Sequence, residues 1–385
     1  MSTSRVTGRD VGTGQGIAVT VTDGRIAAIE PTDLEPGLSN PYLAAGLIDL
    51  QVNGYHGLDL NDGALTPERV VALTQMMTTL GVTTYLPTLI TASRASLLAA
   101  LTSIAAARRQ HPLSARMIPF VHIEGPFLAT EDGPRGAHPL EHVRTPDLDE
   151  VAEWQRVSGG LVGKITLSPH YDQVSDFIRA LVGQGILVAI GHTSASADQI
   201  HAAVSAGARL STHLGNGAAA TLPRHPNFIW AQLADDGLNA GFIADGFHLP
   251  ADTFKAMLRA KGVDRAYLVS DTAALGGMPP GVYDQPIGGR VEVGSDGRLS
   301  VLGTPYLAGA SRPLCEDVAL AIRMADLSLS DGVRLATVNP GRFVGHRGRL
   351  AVGESADLVL FDWELGAASL AIRETYVAGK RCGPE

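Results

Sequence analysis

A (β/α)8 barrel of the TIM type, carrying a small β-sandwich domain formed by both chain ends, is the fold this sequence predicts. Three observations carry the prediction. The middle of the chain alternates short apolar runs with helical patterns, both ends are β-like, and polar residues recur where the central apolar runs stop. A chain of 385 residues is long for one ordinary domain and suits a large barrel with a smaller appendage.

The N-terminal residues read as strands. Gly16 to Val21 and Arg25 to Ile29 flank Asp23-Gly24, a two-residue hairpin signal. Barrel strands are then expected at 45–51, 82–88, 117–124, 162–168, 186–192, 209–213, 239–245 and 266–271. Helical patterns separate most of them. Thr66-Pro67 caps and opens one that runs to Leu80 before Gly81. Ser93 opens a second, to Gln110, and a third runs from Asp198 to Ala206 ahead of Gly207. An open doubly wound sheet is the rival arrangement, but it gives no reason for polar residues at strand ends. Between the eighth strand and a long helix at Arg312 to Ala325, an insertion holds a hairpin. Its arms, Arg290 to Val293 and Arg298 to Val301, flank Asp296-Gly297. The chain then returns to β-like segments at 356–362 and 375–377. The expected division is residues 1–45 and 345–385 in the small domain and 46–344 in the barrel, with the hairpin insertion near 282–303.

Composition narrows the function. Apolar residues at 45% and charged residues at 18% describe a globular chain with a sizeable core. A net charge of -9, with no Lys/Arg run, argues against nucleic-acid and membrane-surface partners. Met1 to Asp10 has no apolar core of a signal peptide, and no apolar stretch reaches the ~18 residues of a membrane span. Cys315 and Cys382 lie in unrelated contexts and read as reduced thiols, so a cytoplasmic protein is expected.

The segment Val121-His122-Ile123-Glu124-Gly125-Pro126-Phe127 is the most informative. A short apolar run ends on a histidine and a glutamate that share one face of a strand. A carboxylate at the tip of a buried strand is costly unless something positive meets it. The fifth strand ends at Gly191-His192-Thr193, the sixth at Thr212-His213 and the eighth at Asp271. Each residue alone has a plainer explanation. A strand-end histidine is often structural, Asp271 before Thr272 can cap a helix, and Glu124 can pair with an arginine. Four such residues at four independently placed strand ends instead suit one divalent ion with imidazole and carboxylate ligands. On that reading Glu124, His192 and His213 hold an ion that acidifies a water, and Asp271 beside it is the general base. Nucleophile-based catalysis has no support, because no Gly-x-Ser-x-Gly elbow exists and neither cysteine lies in a motif.

These segments, with Ala244-Asp245-Gly246-Phe247-His248 and Val269-Ser270-Asp271, resemble the N-acetylglucosamine-6-phosphate deacetylase family of the amidohydrolase superfamily. The likeness runs from Ala45-Gly46-Leu47-Ile48-Asp49 to Asn339-Pro340-Gly341-Arg342 and Gly353 to Leu358. It implies hydrolytic removal of acetate from an amino-sugar phosphate by a homodimer with one divalent metal per subunit. Zinc is the first choice, with iron, cobalt or manganese as alternatives. Gln51-Val52-Asn53 stands where many amidohydrolases carry His-x-His for a second metal, which agrees with a single ion. The resemblance further implies that His138 orients the acetamide or its developing oxyanion. It gives Asn216, the Gly217 amide, His248 and Arg224 to the phosphate or nearby sugar oxygens, with Arg224 crossing from the second subunit. His122 is placed one layer deeper, orienting the site without binding the ion. The chain departs from the family at Gly215-Asn216-Gly217-Ala218, where an aromatic and a methionine are replaced, and at Arg224-His225-Pro226-Asn227. Three alternatives remain beside the leading one: a deacetylase for another N-acetylated amino sugar, a cyclic-amide hydrolase, and a non-catalytic scaffold.

Overall fold

The computed structural model describes residues 2–34, 40–285, 289–304 and 306–383. Positions 1, 35–39 and 384–385 of the terminal segments, and 286–288 and 305 around the insertion, lie outside the described residues. Eight parallel strands form the barrel: β1 (Leu47–Val52), β2 (Val82–Ile90), β3 (Val121–Glu124), β4 (Val162–Leu167), β5 (Leu187–Ile190), β6 (Leu210–Ser211), β7 (Asn239–Phe242) and β8 (Ala266–Leu268). Each pairs in parallel with the next from β1 to β8. The ring closes where the Asp271 amide donates to Gln51 O at 2.9 Å and the Asn53 amide donates to Thr272 O at 2.9 Å. Burial of every residue in β1 and β3 is what parallel strands covered by helices require.

Helix starts follow the capping signals. Thr66 accepts from the Arg69 amide to open Pro67–Thr79, and Ser93 accepts from the Ser96 amide to open Arg94–Gln110. Ser196 and Gln199 form a capping box at the head of Ala197–Ala206. The expected strand at 117–124 starts late, because Pro112–Met117 is a short helix with His111 at its cap and proline in its first turn. Met117 and Ile118 are buried in the large apolar core, so their apolar run signals burial and not extended backbone. The helix expected from Arg312 begins at Leu314, behind Pro313, and ends at Ala325.

Two apolar cores result. Ile48, Leu50, Leu86, Ala189, Leu210, Tyr267 and Val269 cluster across non-adjacent strands, which only the barrel interior allows. A larger cluster lies between the strands and the surrounding helices. The chain termini build one seven-stranded sheet with spatial order 380–382, 371–377, 358–362, 42–45, 3–10, 16–22, 25–31. Asp23 and Gly24 both adopt positive φ, as the hairpin turn requires. The Ile26 amide donates to Glu354 O at 2.9 Å, folding the far edge back over a core of Val6, Val19, Leu43, Leu358 and Leu360. This arrangement agrees with the expected β-sandwich. The insertion has one strand more than the expected hairpin: Gly281–Gln285, Gly289–Val293 and Leu299–Val301 form an antiparallel sheet. Among the described residues, no helix is long and apolar enough to cross a membrane.

Phe127 ties the loop after β3 to this frame. It is fully buried, stacked on Trp154 at 5.7 Å and edge-on to Phe177 at 5.3 Å. Phe127→Ala is therefore expected to lower stability by about 3–5 kcal/mol in urea unfolding. A loss under ~1 kcal/mol would show that the loop is held by other contacts.

Candidate metal centre and active site

Four strand ends deliver the candidate residues to one barrel mouth. Glu124 is the last residue of β3, His192 and His213 lie two residues beyond β5 and β6, and Asp271 lies three beyond β8. His192, His213 and Asp271 have φ of 49, 26 and 51°. Left-handed backbone is unfavourable for such residues and is kept where the surroundings impose it, often at functional sites. Here it turns each residue out of its strand's direction and over the mouth.

Glu124 Oε1 lies 3.0 Å from His213 Nε2 and 3.4 Å from His192 Nε2, and the two imidazole nitrogens are 3.1 Å apart. The potential ligand atoms of these three buried residues all fall within 4.8 Å of one another. His192 Nδ1 bonds to the Pro134 carbonyl at 2.9 Å, so it carries the proton and Nε2 turns a lone pair to the centre. His213 Nδ1 is buried and lacks a hydrogen-bond partner among the described residues. A carboxylate and two imidazoles converging in this way fit a divalent cation of the zinc type.

The surrounding residues explain the precision of the cluster. Gln51 Nε2 donates to Glu124 Oε1 at 2.9 Å, and Asn53 Nδ2 donates to Asp271 Oδ1 at 2.7 Å. Two amides thus occupy the strand-one positions flagged in the sequence only as a missing His-x-His. One orients the candidate ligand and the other the candidate base. Their signal was present: two amides at i and i+2 beside a buried strand end. Burial raises the Glu124 carboxyl, but its contacts with His192 and His213 outweigh it and hold the group well below the usual range. Burial pushes Asp271 up to about 6, the Glu124 charge adds to the rise, and the Asn53 bond opposes it.

His138 reaches the same centre from a loop. Its Nε2 lies 3.3 Å from His192 Nε2 and 4.0 Å from Glu124 Oε2, while Nδ1 meets Thr91 Oγ1 at 2.9 Å. Burial and the His192 charge push it down to about 3, so it stays neutral. His122 lies deeper, between Thr88 Oγ1 at 3.2 Å and Thr166 Oγ1 at 2.7 Å, where the sequence reading had put it. Lys164 on β4 was missed. It is fully buried, donates to Leu50 O at 3.3 Å, and is pushed down to about 8 by burial. A lone lysine in the apolar run Val162-Gly163-Lys164-Ile165 was the available signal.

Above the centre opens a cavity of about 460 Å³. Asn53, Asp59, Asn216, Gly217 and His248 are among the residues lining it. The insertion contributes Gln285, Val291, Leu299, Tyr306 and Leu307 to the same lining. Gly217 has a structural reason to be glycine: with φ of 57°, a Cβ there would lie 2.7 Å from His192 Nδ1. Arg224 is exposed on the loop before Phe228–Ala234 and is absent from the cavity wall of its own chain. The structure therefore brings together every expected site residue except Arg224.

A sequence model of the Amidohydrolase family matches residues 42–382. The N-acetylglucosamine-6-phosphate deacetylase of Bacillus subtilis (strain 168) is 30% identical over 355 residues, covering 89% of this chain and 88% of the relative. The N-acetylgalactosamine-6-phosphate deacetylase of Shewanella sp. (strain ANA-3) is 32% identical over 355 residues, covering 90% and 87%. Among solved structures, a variant of the Mycobacterium smegmatis N-acetyl-D-glucosamine-6-phosphate deacetylase in complex with N-acetyl-D-glucosamine-6-phosphate superposes with a TM-score of 0.87. It is 28% identical and covers 100% of both chains.

Two outcomes follow from this geometry. Glu124→Gln is expected to weaken divalent-metal affinity roughly 100-fold or more in competition with a chelator, since loss of outer-shell partners alone costs 10–100-fold. Unchanged metal affinity would remove Glu124 from the ligand set. Asp271 accepts a proton only when ionised, so kcat/KM falls as pH drops through its folded pKa, and a cation held beside it moves that limb to lower pH. Asn53→Ala removes a bond that favours the ionised form and is expected to raise the acid limb by roughly half a unit or more in a pH–rate profile. A limb that stayed in place would show that Asn53 does not tune the base.

Proposed function

The chain belongs to the amidohydrolase family, in its N-acetylglucosamine-6-phosphate deacetylase branch, and on that premise we propose the reaction and the residues that perform it. The reaction is hydrolysis of the acetamide of N-acetyl-D-glucosamine 6-phosphate to D-glucosamine 6-phosphate and acetate, in amino-sugar catabolism or recycling. The observation that carries the reading is the convergence of Glu124, His192, His213 and Asp271 beneath one open cavity.

A divalent cation held by Glu124, His192 and His213, zinc first with iron, cobalt or manganese as alternatives, supplies Lewis acidity toward a water and the amide carbonyl. Asp271 is the general base. Its Oδ1 is engaged by Asn53, which leaves Oδ2 to take the proton of the attacking water and return it to the leaving amine. Neutral His138, held through Nδ1, orients the acetamide oxygen as charge develops on it. Asn216, the Gly217 amide and His248 receive the phosphate or nearby sugar oxygens along the cavity wall. Arg224 acts on the phosphate from the second subunit of a homodimer, which accords with its exposure outside its own chain's cavity. Cys315 and Cys382 are both free, which fits the cytoplasm.

A second reading keeps the chemistry and changes the sugar. The chain is 32% identical to an N-acetylgalactosamine-6-phosphate deacetylase, and Gly215 and Ala218 reshape the pocket floor. A turnover screen separates the two: N-acetylglucosamine and N-acetylgalactosamine, each with and without the 6-phosphate, against metal-loaded protein. Highest kcat/KM is expected for N-acetylglucosamine 6-phosphate, and no preference for the phosphorylated sugar would overturn the leading reading. With the best substrate, Asp271→Asn is expected to keep its metal and lose roughly 10²–10⁴-fold in kcat. Activity near that of the unmodified protein would remove Asp271 from the role of base.

A further inference from the structure

His248 is the one candidate substrate contact whose ring is anchored by a carboxylate. Beyond β7 the chain turns tightly around Asp245, whose side chain is almost fully buried. Asp245 Oδ1 accepts the amides of Phe247 and His248, both at 2.8 Å, and Oδ2 accepts His248 Nδ1–H at 2.7 Å. Both carboxylate oxygens are thereby engaged within one four-residue turn. Because the acceptor is a carboxylate, Nδ1 must carry a proton. His248 lines the cavity, and its Nε2 has no hydrogen-bond partner among the described residues.

The turn is also clamped from outside. The Arg312 guanidinium lies 5.1 Å over the Phe247 ring, donates to Glu316 at 3.1 Å, and donates to Asp296 O of the insertion at 3.2 Å. The charged groups that act on the imidazole are Asp245 on its own turn and Asp271 from the end of β8, while Arg312 packs on the neighbouring Phe247. Asp317, on the helix Leu314–Ala325, acts on Asp245 from behind. Asp245 is the carboxylate in direct contact with the ring.

We infer that Asp245 is a positioning residue that locks His248 with its Nε2–H directed into the cavity, making the imidazole a cationic donor to the substrate's anionic group. A neutral imidazole with Nδ1 protonated would turn a lone pair toward that anion and repel it. With Nδ1–H held by the carboxylate, an Nε2–H facing the anion donates a charge-assisted hydrogen bond. This inference rests on the phosphorylated substrate proposed above. It adds a residue that touches no substrate and acts through its neighbour.

Asp245→Asn tests it in the metal-loaded protein. Asparagine can still accept both backbone amides through its carbonyl, but its amide faces Nδ1, reverses the tautomer and removes the charge. Nε2–H is kept but uncharged, so the expected result is a KM for N-acetylglucosamine 6-phosphate raised roughly tenfold, with kcat within about threefold, the difference between a charged and a neutral hydrogen bond. The KM for unphosphorylated N-acetylglucosamine should not move. In a His248→Ala background, Asp245→Asn should add nothing further. Equal losses on both sugars, or full additivity with His248→Ala, would overturn the inference.

A measurement on the unmodified protein stands apart from turnover and from the folding of any variant. Inorganic phosphate should raise the NMR-measured pKa of His248 and shift its Hε1 resonance, and neither change would appear if Nε2–H did not face an anion site. Absence of turnover on any phosphorylated sugar would defeat the proposed reaction, whereas a His248 that ignores phosphate would defeat this inference.

Discussion

A carboxylate buried at the end of β3 sets the conditions for the rest of the site. Glu124 is 3% exposed, and left unpaired there it would cost several kcal/mol of desolvation. Its environment is built to receive it: His213 and His192 on one oxygen, with Gln51 donating to the same atom. The contacts and the charges of His192 and His213 together hold its carboxyl well below the usual range. What remains is a set of lone pairs facing one point, an arrangement that a divalent cation completes. The neighbouring Asp271 then experiences Glu124 as a like charge, which helps raise it toward the range where a base is useful. Ligand geometry and base strength thus share one origin.

The barrel explains how distant parts of the chain meet there. Parallel strands bring all their C-terminal ends to one face, so Glu124, His192, His213 and Asp271 converge although 147 residues separate the first from the last, as 271 minus 124. Strand direction is only part of the placement. His192, His213 and Asp271 lie past their strands in left-handed backbone. Gly217 keeps clear of the His192 ring, where any Cβ would intrude. The insertion between β8 and the helix Leu314–Ala325 adds Val291, Leu299, Tyr306 and Leu307, together with Gln285, to the cavity lining. A cavity lined by both apolar and polar groups suits a sugar ring, which has both kinds of surface.

Most of this was legible in the chain because the signals were local and repeated. Alternating strand and helix patterns predicted the barrel, and Thr66, Ser93 and Gly207 marked helix boundaries within a residue or two. The reading slipped where one signal served two structures. The apolar residues at 117–118 belong to the end of a helix and a buried connection, since burial by itself does not specify backbone form. The third strand of the insertion was hidden because Gly281–Gln285 is mostly exposed and lacks a hydrophobic alternation.

The sequence by itself determined the barrel, the two β-like ends, and the identities of the candidate ligands and base, because strand ends and their residue types are written in consecutive positions. Only the tertiary structure decided which unremarkable residues support them. Gln51, Asn53, Lys164 and Asp245 each depend on a neighbour brought close by folding or by a tight turn: Glu124, Asp271, Leu50 O and the His248 ring. The direction of a hydrogen bond, the burial that shifts a pKa and the wall of a cavity are properties of three-dimensional proximity. The order of residues along a chain encodes them only through the completed fold.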